Sequence, residues 1–271
     1  MTDVSVNAAD VNGGPLVEVF ADVHQLAMAA AEHVVHAAAT AVFERGRFVI
    51  ALSGGSTPKA LFRLLAQPPL AARIAWEAVH VCWGDERCVA PDHADSNYHL
   101  AHEELLSRVP IPASNVHRMR GELEPAAAAI DYEARLRALL GEAPVAREGA
   151  PKLTAGHRFD LVLLGLGTDG HTASLFPGGQ AVHERERWVV AEYVQKVQMW
   201  RLTITPPVIN ASAEALFLAA GTEKADVLRR LLNDAPDVSV LPAQVVAPTR
   251  GVVRWMVDAD AASKLHETAP D

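Results

Sequence analysis

The stretch RFVIALSGGSTPKALFRLLA, residues 47–66, contains the pattern that decides the fold. Residues 48–52 form a continuous apolar run, as expected of a strand that is buried on both faces of a parallel sheet. A turn with Gly54 and Gly55 follows, and an amphipathic helix then carries Pro58 in its first turn, where proline is well tolerated. The stretch therefore predicts a β-loop-α unit.

The rest of the chain repeats this alternation of apolar strands and amphipathic helices. Strands are predicted at 16–20, 79–83, 159–164, 188–194, 201–205, 215–220 and 251–257, and helices at 22–45, 96–109, 124–140 and 223–232. This order predicts an α/β fold, with a doubly wound, mostly parallel sheet and helices on both of its faces. In such sheets, ligands bind outside the carboxyl ends of the strands.

Composition excludes several classes of protein. The 271 residues include 24 Lys and Arg against 33 Asp and Glu, so the net charge of −9 argues against a basic nucleic-acid binder. Half of the residues are hydrophobic, which is enough for a sizeable core. No apolar run approaches the roughly 18 residues that span a bilayer, and the start of the chain lacks the features of a signal peptide. We expect a cytoplasmic protein that binds neither nucleic acid nor membrane.

Domain organisation is predicted to be simple. We expect a flexible N-terminal lead at 1–15 and a single domain over 16–271. Residues 141–157 are rich in Gly, Pro and Ala, which predicts a surface loop. Cys82 and Cys88 are expected to be free thiols, because a reducing compartment does not favour disulfides.

The turn after the strand at 48–52 has the composition of an anion site. Its residues are Ser53, Gly54, Gly55, Ser56 and Thr57. Glycines let backbone N–H groups approach an anion, the hydroxyls add donors, and the following helix presents its positive end. The turn lacks the Gly-Lys-Ser/Thr ending of a nucleoside-triphosphate loop, so a monophosphate is favoured over ATP. An ordinary strand-to-helix turn is the alternative interpretation.

The segment at 165–172, GLGTDGHT, follows the strand at 159–164 and permits three interpretations. Its glycines match the G-x-G-x-x-G dinucleotide pattern, but Pro177 and two glycines interrupt the long helix that this pattern should open. Alternatively, His171 is an acid/base group oriented by Asp169, because imidazole is largely neutral at pH 7 and can accept a proton from water. A structural histidine is the third possibility.

Charged residues follow the strand at 79–83 and occur near two later strands. Arg87 could pair with phosphate or sugar oxygens while Asp85 or Glu86 accepts a sugar hydroxyl, although a surface charge cluster has the same composition. A negatively charged protein must concentrate positive charge locally to hold a phosphate. Arg201 and Lys224 are candidates for that charge, although each alone would more often be a solvated surface residue.

Other catalytic patterns are weaker. Two histidine pairs have the i, i+3 spacing of a helix face, His33 with His36 and His99 with His102. No third ligand is evident for either pair, so we expect no metal. The Gly-x-Ser-x-Gly elbow of serine hydrolases is missing, so a nucleophilic serine is not expected.

Five motifs in order resemble the 6-phosphogluconolactonase family, within the wider group that includes glucosamine-6-phosphate deaminase. They are ALSGGSTPKALF, WGDERCVAPDHADSNYHLA, FDLVLLGLGTDGHTASLFPG, RLTITPPVIN and LFLAAGTEKADVL. The resemblance covers nearly the whole chain after about residue 16. It implies a doubly wound α/β sheet, no cofactor, and hydrolysis of 6-phosphogluconolactone to 6-phosphogluconate in the oxidative pentose phosphate pathway.

The resemblance also implies roles for individual residues. The proposed base of the family is the histidine of its Asp-Gly-His-Thr motif, which falls on His171. The family's phosphate contacts fall on the turn at 53–57 and on Arg87, Arg201 and Lys224. In the implied mechanism, His171 removes a proton from the water that attacks C1, and backbone N–H groups or Arg87 stabilise the oxyanion.

Two alternatives remain open. In an isomerase of the deaminase type, Asp85 or Glu86 would move a proton at C2 and His171 would help to open the ring. The Asp-Gly-His-Thr motif and the position of Arg87 favour the lactonase. A non-enzymatic sugar-phosphate sensor is the second alternative, but such sensors usually carry a DNA-binding segment, which we do not see here. The expected partner is a small phosphorylated sugar lactone, and the expected assembly is a monomer or a weak homodimer.

Overall fold

The computed structural model describes residues 15–141 and 158–266. The predicted N-terminal lead, apart from Pro15, and the predicted loop at 141–157, apart from its first residue, lie outside these ranges. The strands are β1 (Leu16–Phe20), β2 (Phe48–Leu52), β3 (Val79–Trp83), β4 (Asp85–Arg87), β5 (Leu161–Gly165), β6 (Val189–Val194), β7 (Met199–Ile204), β8 (Glu214–Ala219) and β9 (Val252–Asp258). The helices are α1 (Val23–Arg45), α2 (Ser56–Leu65), α3 (Asn97–Glu104), α4 (Pro125–Leu140), α5 (Pro206–Ile209), α6 (Ala225–Asn233) and α7 (Ala259–Ala262).

Six of these strands form one parallel sheet in the order β1-β9-β8-β5-β2-β3. Every residue of β2 is buried, because the sheet is covered on both faces. The predicted α/β class and mostly parallel sheet are thus confirmed. Because the strands are parallel, all six carboxyl ends lie at one edge, where an α/β sheet binds its ligands.

A second, three-stranded sheet has the order β4-β7-β6 and is antiparallel. The strands predicted at 188–194 and 201–205 exist, but they pair here and not in the parallel sheet. Only a short turn joins β6 to β7, and neighbouring strands joined by a short turn pair antiparallel. Residues 85–87, predicted as a loop, instead form the strand β4 against β7.

Helix α1 packs as part of the core. Asp22 caps its amino end by accepting a hydrogen bond from Gln25 N (2.8 Å), and Gly46, in the left-handed region with φ of 73°, ends it. By length and composition alone, α1 could cross a membrane, although Glu32, His33 and His36 interrupt its apolar residues. Eight of its residues are buried, and helices in protein cores meet the same length and composition criteria.

Helix α4 anchors the carboxyl end of β3. The hydroxyl of Tyr132 donates to Trp83 O (3.0 Å) and accepts from Trp83 N (2.8 Å), and both residues are almost completely buried. Trp83, on the edge strand of the sheet, pairs in register with Leu52, and this double hydrogen bond satisfies both of its backbone polar groups. The next residues of the chain, Gly84 and β4, therefore begin from a fixed point at the binding edge.

Candidate active site

Three loops that carry candidate site residues meet at one edge of the sheet. They follow β2, β3 and β5, which are adjacent in the order β5-β2-β3, and all leave the same edge of the sheet. After β2 the chain passes to β3, whereas after β5 it passes to β8 on the opposite side. The carboxyl ends of β2 and β5 thus flank the switch point of the sheet, where a crevice forms.

The glycine turn after β2 is shaped by close packing. A Cβ atom on Gly54 would lie 1.9 Å from Asn97 Oδ1, and Gly55 has a φ of 109° that side chains rarely adopt. The Ser53 hydroxyl is buried and has no hydrogen-bond partner within the described part of the chain. The turn therefore presents backbone N–H groups, this hydroxyl and the start of α2, which carries Ser56 and Thr57.

The loop after β5 holds the His171 ring in place. Gly167 N donates to His171 O (2.8 Å), and Thr172 Oγ1 donates to Gly165 O (2.9 Å). A Cβ atom on Gly167 would lie 2.0 Å from His171 Nδ1, so only glycine leaves room for the ring. The ring is also stacked on Phe176, with centroids 4.2 Å apart. Residues 166–180 form turns and bends, and not the long helix of a dinucleotide site.

His171 is paired with a carboxylate, which is in turn paired with a lysine. His171 Nδ1 lies 2.5 Å from Asp169 Oδ1, and Lys196 Nζ lies 2.5 Å from Asp169 Oδ2. Burial opposes ionisation of Asp169, but the hydrogen bonds from His171 and Lys196 outweigh it and hold its pKa well below the usual range. A carboxylate only accepts hydrogen bonds, so neutral His171 carries its proton on Nδ1 and has Nε2 as a proton acceptor.

The Glu86 carboxylate is hydrogen-bonded to other groups of the protein. This carboxylate is almost fully buried and accepts four hydrogen bonds, from the backbone N of Arg87, Asn97 and Tyr98 and from the Ser96 hydroxyl. Burial raises its pKa, and the backbone N–H donors offset part of that rise. These contacts attach β4 to the amino end of α3.

Asp85 connects β4 to two other segments of the site. Its Oδ2 accepts from the Ser174 hydroxyl (2.7 Å), and its Oδ1 accepts from Asn97 Nδ2 (3.0 Å). Asn97 also packs against Gly54, so β4, α3, the glycine turn and the loop that carries His171 are held together. Both carboxylates predicted to bind substrate thus already have protein donors.

Two arginines lie side by side where β4 pairs with β7. Arg87 is directly opposite Arg201, and the Nε atom of each is buried without a hydrogen-bond partner among the described residues. Arg87 Nη1 donates to Asp95 O (2.5 Å). Burial, followed by the neighbouring charge of Arg87, lowers the pKa of Arg201. Two adjacent guanidiniums with unused donors suit an anion with two negative charges.

Lys224 follows β8, the neighbour of β5 in the sheet. Its turn is held by Asp258, whose carboxylate accepts from Gly221 N (3.0 Å). The Lys224 side chain is largely buried, and its ammonium is 3.8 Å from the nearest oxygen of Glu223. The lysine therefore adds positive charge at the same edge of the sheet. Its ion pair with Glu223 is long, and the Glu223 side chain is exposed.

The predicted histidine pairs contact other groups. His33 Nε2 lies 2.9 Å from Glu214 Oε2, on the core side of α1. His102 Nδ1 is 3.6 Å from Glu103 Oε1 on the exposed side of α3. Over residues 15–141 and 158–266, no group of three or more His, Cys, Asp or Glu side chains is arranged to hold a metal ion.

The family model described as "Glucosamine-6-phosphate isomerases/6-phosphogluconolactonase" matches residues 21–255. The chain belongs to this family. A rice protein (Oryza sativa subsp. indica) named "Probable 6-phosphogluconolactonase 3, chloroplastic" is 41% identical over 244 residues, which cover 89% of this chain and 73% of the relative. A 6-phosphogluconolactonase of Nostoc sp. is 40% identical over 227 residues, which cover 83% of this chain and 88% of the relative.

Solved structures of the family confirm the fold. The 6-phosphogluconolactonase of Trypanosoma brucei matches with a TM-score of 0.80 and 31% identity, covering 94% of this chain and all (100%) of its own. A monomeric glucosamine-6-phosphate deaminase matches with a TM-score of 0.74 and 22% identity, over 92% of this chain and 99% of that one. The second similarity shows only that the two branches of the family share a fold.

Three site residues of this family member are not identified from its sequence, namely Lys196, Asn97 and Ser174. Lys196 lies in the turn between β6 and β7, and no local pattern distinguishes it from a solvated lysine. The sequence does contain a pattern that could have identified Asn97, since this residue directly follows the helix-capping Ser96 within a family motif. No local pattern marks Ser174, whose hydroxyl donates to Asp85.

Proposed function

We propose that this chain hydrolyses 6-phospho-D-glucono-1,5-lactone to 6-phospho-D-gluconate, the lactonase step of the oxidative pentose phosphate pathway. The observation that carries this proposal is the Asp169–His171 pair at the switch point of the sheet, in a chain related to 6-phosphogluconolactonases. The pair supplies a neutral imidazole with a defined acceptor nitrogen, which is what activation of water requires.

His171 is the general base in the proposed mechanism. Its Nε2 takes a proton from water as the water oxygen attacks C1, and Asp169 stabilises the resulting imidazolium. The tetrahedral intermediate then expels the ring oxygen, which receives that proton from His171. Water and lactone are thereby converted to the hydroxy acid without a covalent intermediate. Base catalysis supplies roughly 10²- to 10⁴-fold, and positioning adds to it.

The phosphate of the substrate is held by groups from two loops and two strands. The proposed phosphate ligands in the turn at 53–57 are its backbone N–H groups and the Ser53 hydroxyl, which has no partner among the described residues. The proposed cationic ligands are Arg87, Arg201 and Lys224. Anchoring the phosphate orients the lactone carbonyl towards His171, so that binding energy is used for positioning. Backbone N–H groups or Arg87 are the proposed donors to the oxyanion.

Asp85 and Glu86 support the site in this proposal without moving a proton. The isomerase alternative needs one of these carboxylates to act at C2 of a sugar. Both are almost fully buried and are bonded to protein donors, with Asp85 held by Ser174 and Asn97. This geometry favours the lactonase over the isomerase.

The direct test is a coupled assay with freshly prepared 6-phosphogluconolactone, corrected for spontaneous hydrolysis. We expect saturable hydrolysis by the purified chain, together with no release of ammonia from glucosamine 6-phosphate. Hydrolysis no faster than the uncatalysed rate would contradict the proposal. Ammonia release from the amino sugar would assign the chain to the deaminase branch.

The setting of the enzyme is part of the same proposal. We propose a cytoplasmic protein with one domain over 16–271, working as a monomer or weak homodimer and needing no cofactor. Several relatives in plants are named chloroplastic, so the compartment has to be tested by localising a tagged chain in its source cell. Light scattering across a range of protein concentrations tests the assembly.

A further inference from the structure

Lys196 contacts the catalytic pair from a distant part of the chain. It lies in the turn Gln195–Val197 between β6 and β7, and its Nζ is 2.5 Å from Asp169 Oδ2. The other oxygen of the same carboxylate is 2.5 Å from His171 Nδ1. Asp169 is therefore shared between the proposed base on one side and a cation on the other.

We propose that Lys196 is a positioning residue that acts on His171 through Asp169. Its ammonium holds Oδ2, which leaves Oδ1 directed at Nδ1 and fixes both the rotation and the tautomer of the ring. It also compensates the charge of the carboxylate. The inference rests on the proposed lactonase function and extends it to the control of its base.

Charge compensation has a definite direction. A lone carboxylate beside an imidazole favours the imidazolium, because opposite charges attract. An ammonium on the far oxygen weakens that preference, because it compensates the charge of the carboxylate. Removal of Lys196 would leave the Asp169 carboxylate uncompensated and less well positioned, and would favour the imidazolium, which cannot accept a proton.

Lys196 is the cation that contacts the Asp169–His171 pair. In the parts of the chain that the structure describes, the charged or titratable groups within hydrogen-bonding distance of the Asp169 carboxylate are His171 and Lys196. The His171 ring is otherwise stacked on uncharged Phe176. The Lys196 side chain is 61% exposed against 21% for Asp169, so the ammonium covers the solvent side of the carboxylate.

The hairpin geometry explains how a surface lysine reaches this point. Gln198 adopts a left-handed conformation with φ of 47°, and its N–H donates to Gln195 O (3.2 Å), which closes the turn tightly. The strand that follows carries Arg201 into its pairing with Arg87. One hairpin thus brings Lys196 to the base and Arg201 to the proposed phosphate site.

The test compares the pH profiles of kcat and KM for wild type, Lys196→Met and Lys196→Arg. Arg73→Met is the matched control. Arg73 lies between α2 and β3, and the variant removes one cation from its exposed ion pair with Glu32 of α1. We expect the acid limb of kcat to move to higher pH by up to about one unit in Lys196→Met, a loss of up to about tenfold on that limb. KM should change less than about twofold. Lys196→Arg should restore most of the profile, and Arg73→Met should match wild type.

A readout without substrate separates this inference from the lactonase proposal. In ¹⁵N-histidine NMR spectra, with His171→Asn to identify the signal, the His171 imidazole should titrate at higher pH in Lys196→Met than in wild type. An unchanged midpoint and an unchanged acid limb would overturn the inference. A tenfold rise in KM with unchanged kcat would also overturn it and would assign Lys196 to substrate binding. Absence of lactone hydrolysis in the wild type would refute only the proposed function, since the NMR result would still stand.

Discussion

At the scale of single residues, the position of the His171 ring is determined by the groups that lie against it. Gly167 leaves the space that the ring occupies, Phe176 stacks on the ring, and Asp169 bonds to Nδ1. The remaining nitrogen, Nε2, has no hydrogen-bond partner among the residues that the structure describes. A ring held in this way loses little freedom when the substrate arrives, which is the condition for an efficient general base.

Replacing His171 should therefore reduce kcat far more than it changes KM. We expect His171→Asn to lower kcat by roughly 10²- to 10⁴-fold, because the base is lost while the phosphate contacts remain. His183→Asn, in an exposed turn, is the control and should behave as wild type. Steady-state kinetics with circular dichroism as a folding check measures both. A folded His171→Asn enzyme with wild-type kcat would exclude His171 as the base.

Two glycines of the same loop offer a matched pair of variants. A Cβ atom at Gly167 would overlap the His171 ring at 2.0 Å, whereas a Cβ atom at Gly165 would meet nothing within 4 Å. Gly167→Ala should displace the ring and lower kcat by about 10²-fold, since a shift of about 1 Å is enough for such a loss. Gly165→Ala should keep nearly full activity. Equal kcat values for the two variants would show that the ring does not depend on Gly167.

At the scale of elements, buried carboxylates join helices to the strands of the site. Glu86 attaches β4 to the start of α3, and Asp85 attaches β4 to the loop after β5. At the other end of α3, Glu104 binds Arg63 and Lys59 of α2, at 2.7 and 3.2 Å. Both ends of α3 are thus held by carboxylates, which keeps Asn97 packed against the glycine turn.

The Glu104 contact should make the α2–α3 pair sensitive to acid. Its hydrogen bond from Arg63 is the main cause that lowers the pKa of Glu104 to about 2. The unfolded chain has an ordinary glutamate pKa of about 4.3, so this contribution is present above about pH 4 and is lost as pH falls towards 2. Glu104→Gln should therefore lower the Tm at pH 7 by more than it does at pH 3.

The control for this comparison is Glu103→Gln on the same helix, where the side chain is 59% exposed. Its Tm should follow wild type at both values of pH, because an exposed carboxylate contributes little. Thermal unfolding followed by circular dichroism gives the Tm difference from wild type for each of the two variants at pH 3 and at pH 7. A Glu104→Gln deficit of the same size at pH 3 and pH 7 would mean that packing, and not charge, accounts for the effect.

At the scale of the whole molecule, a chain with a net charge of −9 collects positive charge at one edge of its sheet. Arg87 and Arg201 come from β4 and β7, and Lys224 comes from the loop after β8. The glycine turn adds backbone donors from the loop after β2. These groups are far apart in the sequence, and the order of the strands brings them to the same edge.

Glucono-1,5-lactone without its phosphate should be a poor substrate for this reason. Each lost charge-assisted contact costs on the order of 1.5 to 3 kcal/mol, so kcat/KM should fall by at least about a hundredfold. Parallel assays with the two lactones, each corrected for spontaneous hydrolysis, measure the ratio. Similar kcat/KM values for the two substrates would mean that the edge does not bind phosphate.

The sequence by itself determined the fold class and the loops of the site. Buried strands are marked by apolar runs such as 48–52, and helices by their periodicity, because these patterns reflect local backbone geometry. The Asp169–His171 contact is also local, since only two residues separate its partners. Local spacing was therefore enough to predict that Asp169 and His171 contact each other.

Only the tertiary structure decided which distant residues meet. Lys196 is 27 positions from Asp169, and Ser174 is 89 positions from Asp85, so no local pattern links either pair. The antiparallel pairing of β4 with β7 likewise put Arg87 opposite Arg201. Such contacts follow from strand order and register, which are set when the whole sheet buries its apolar faces together. Periodicity along one segment does not contain that information.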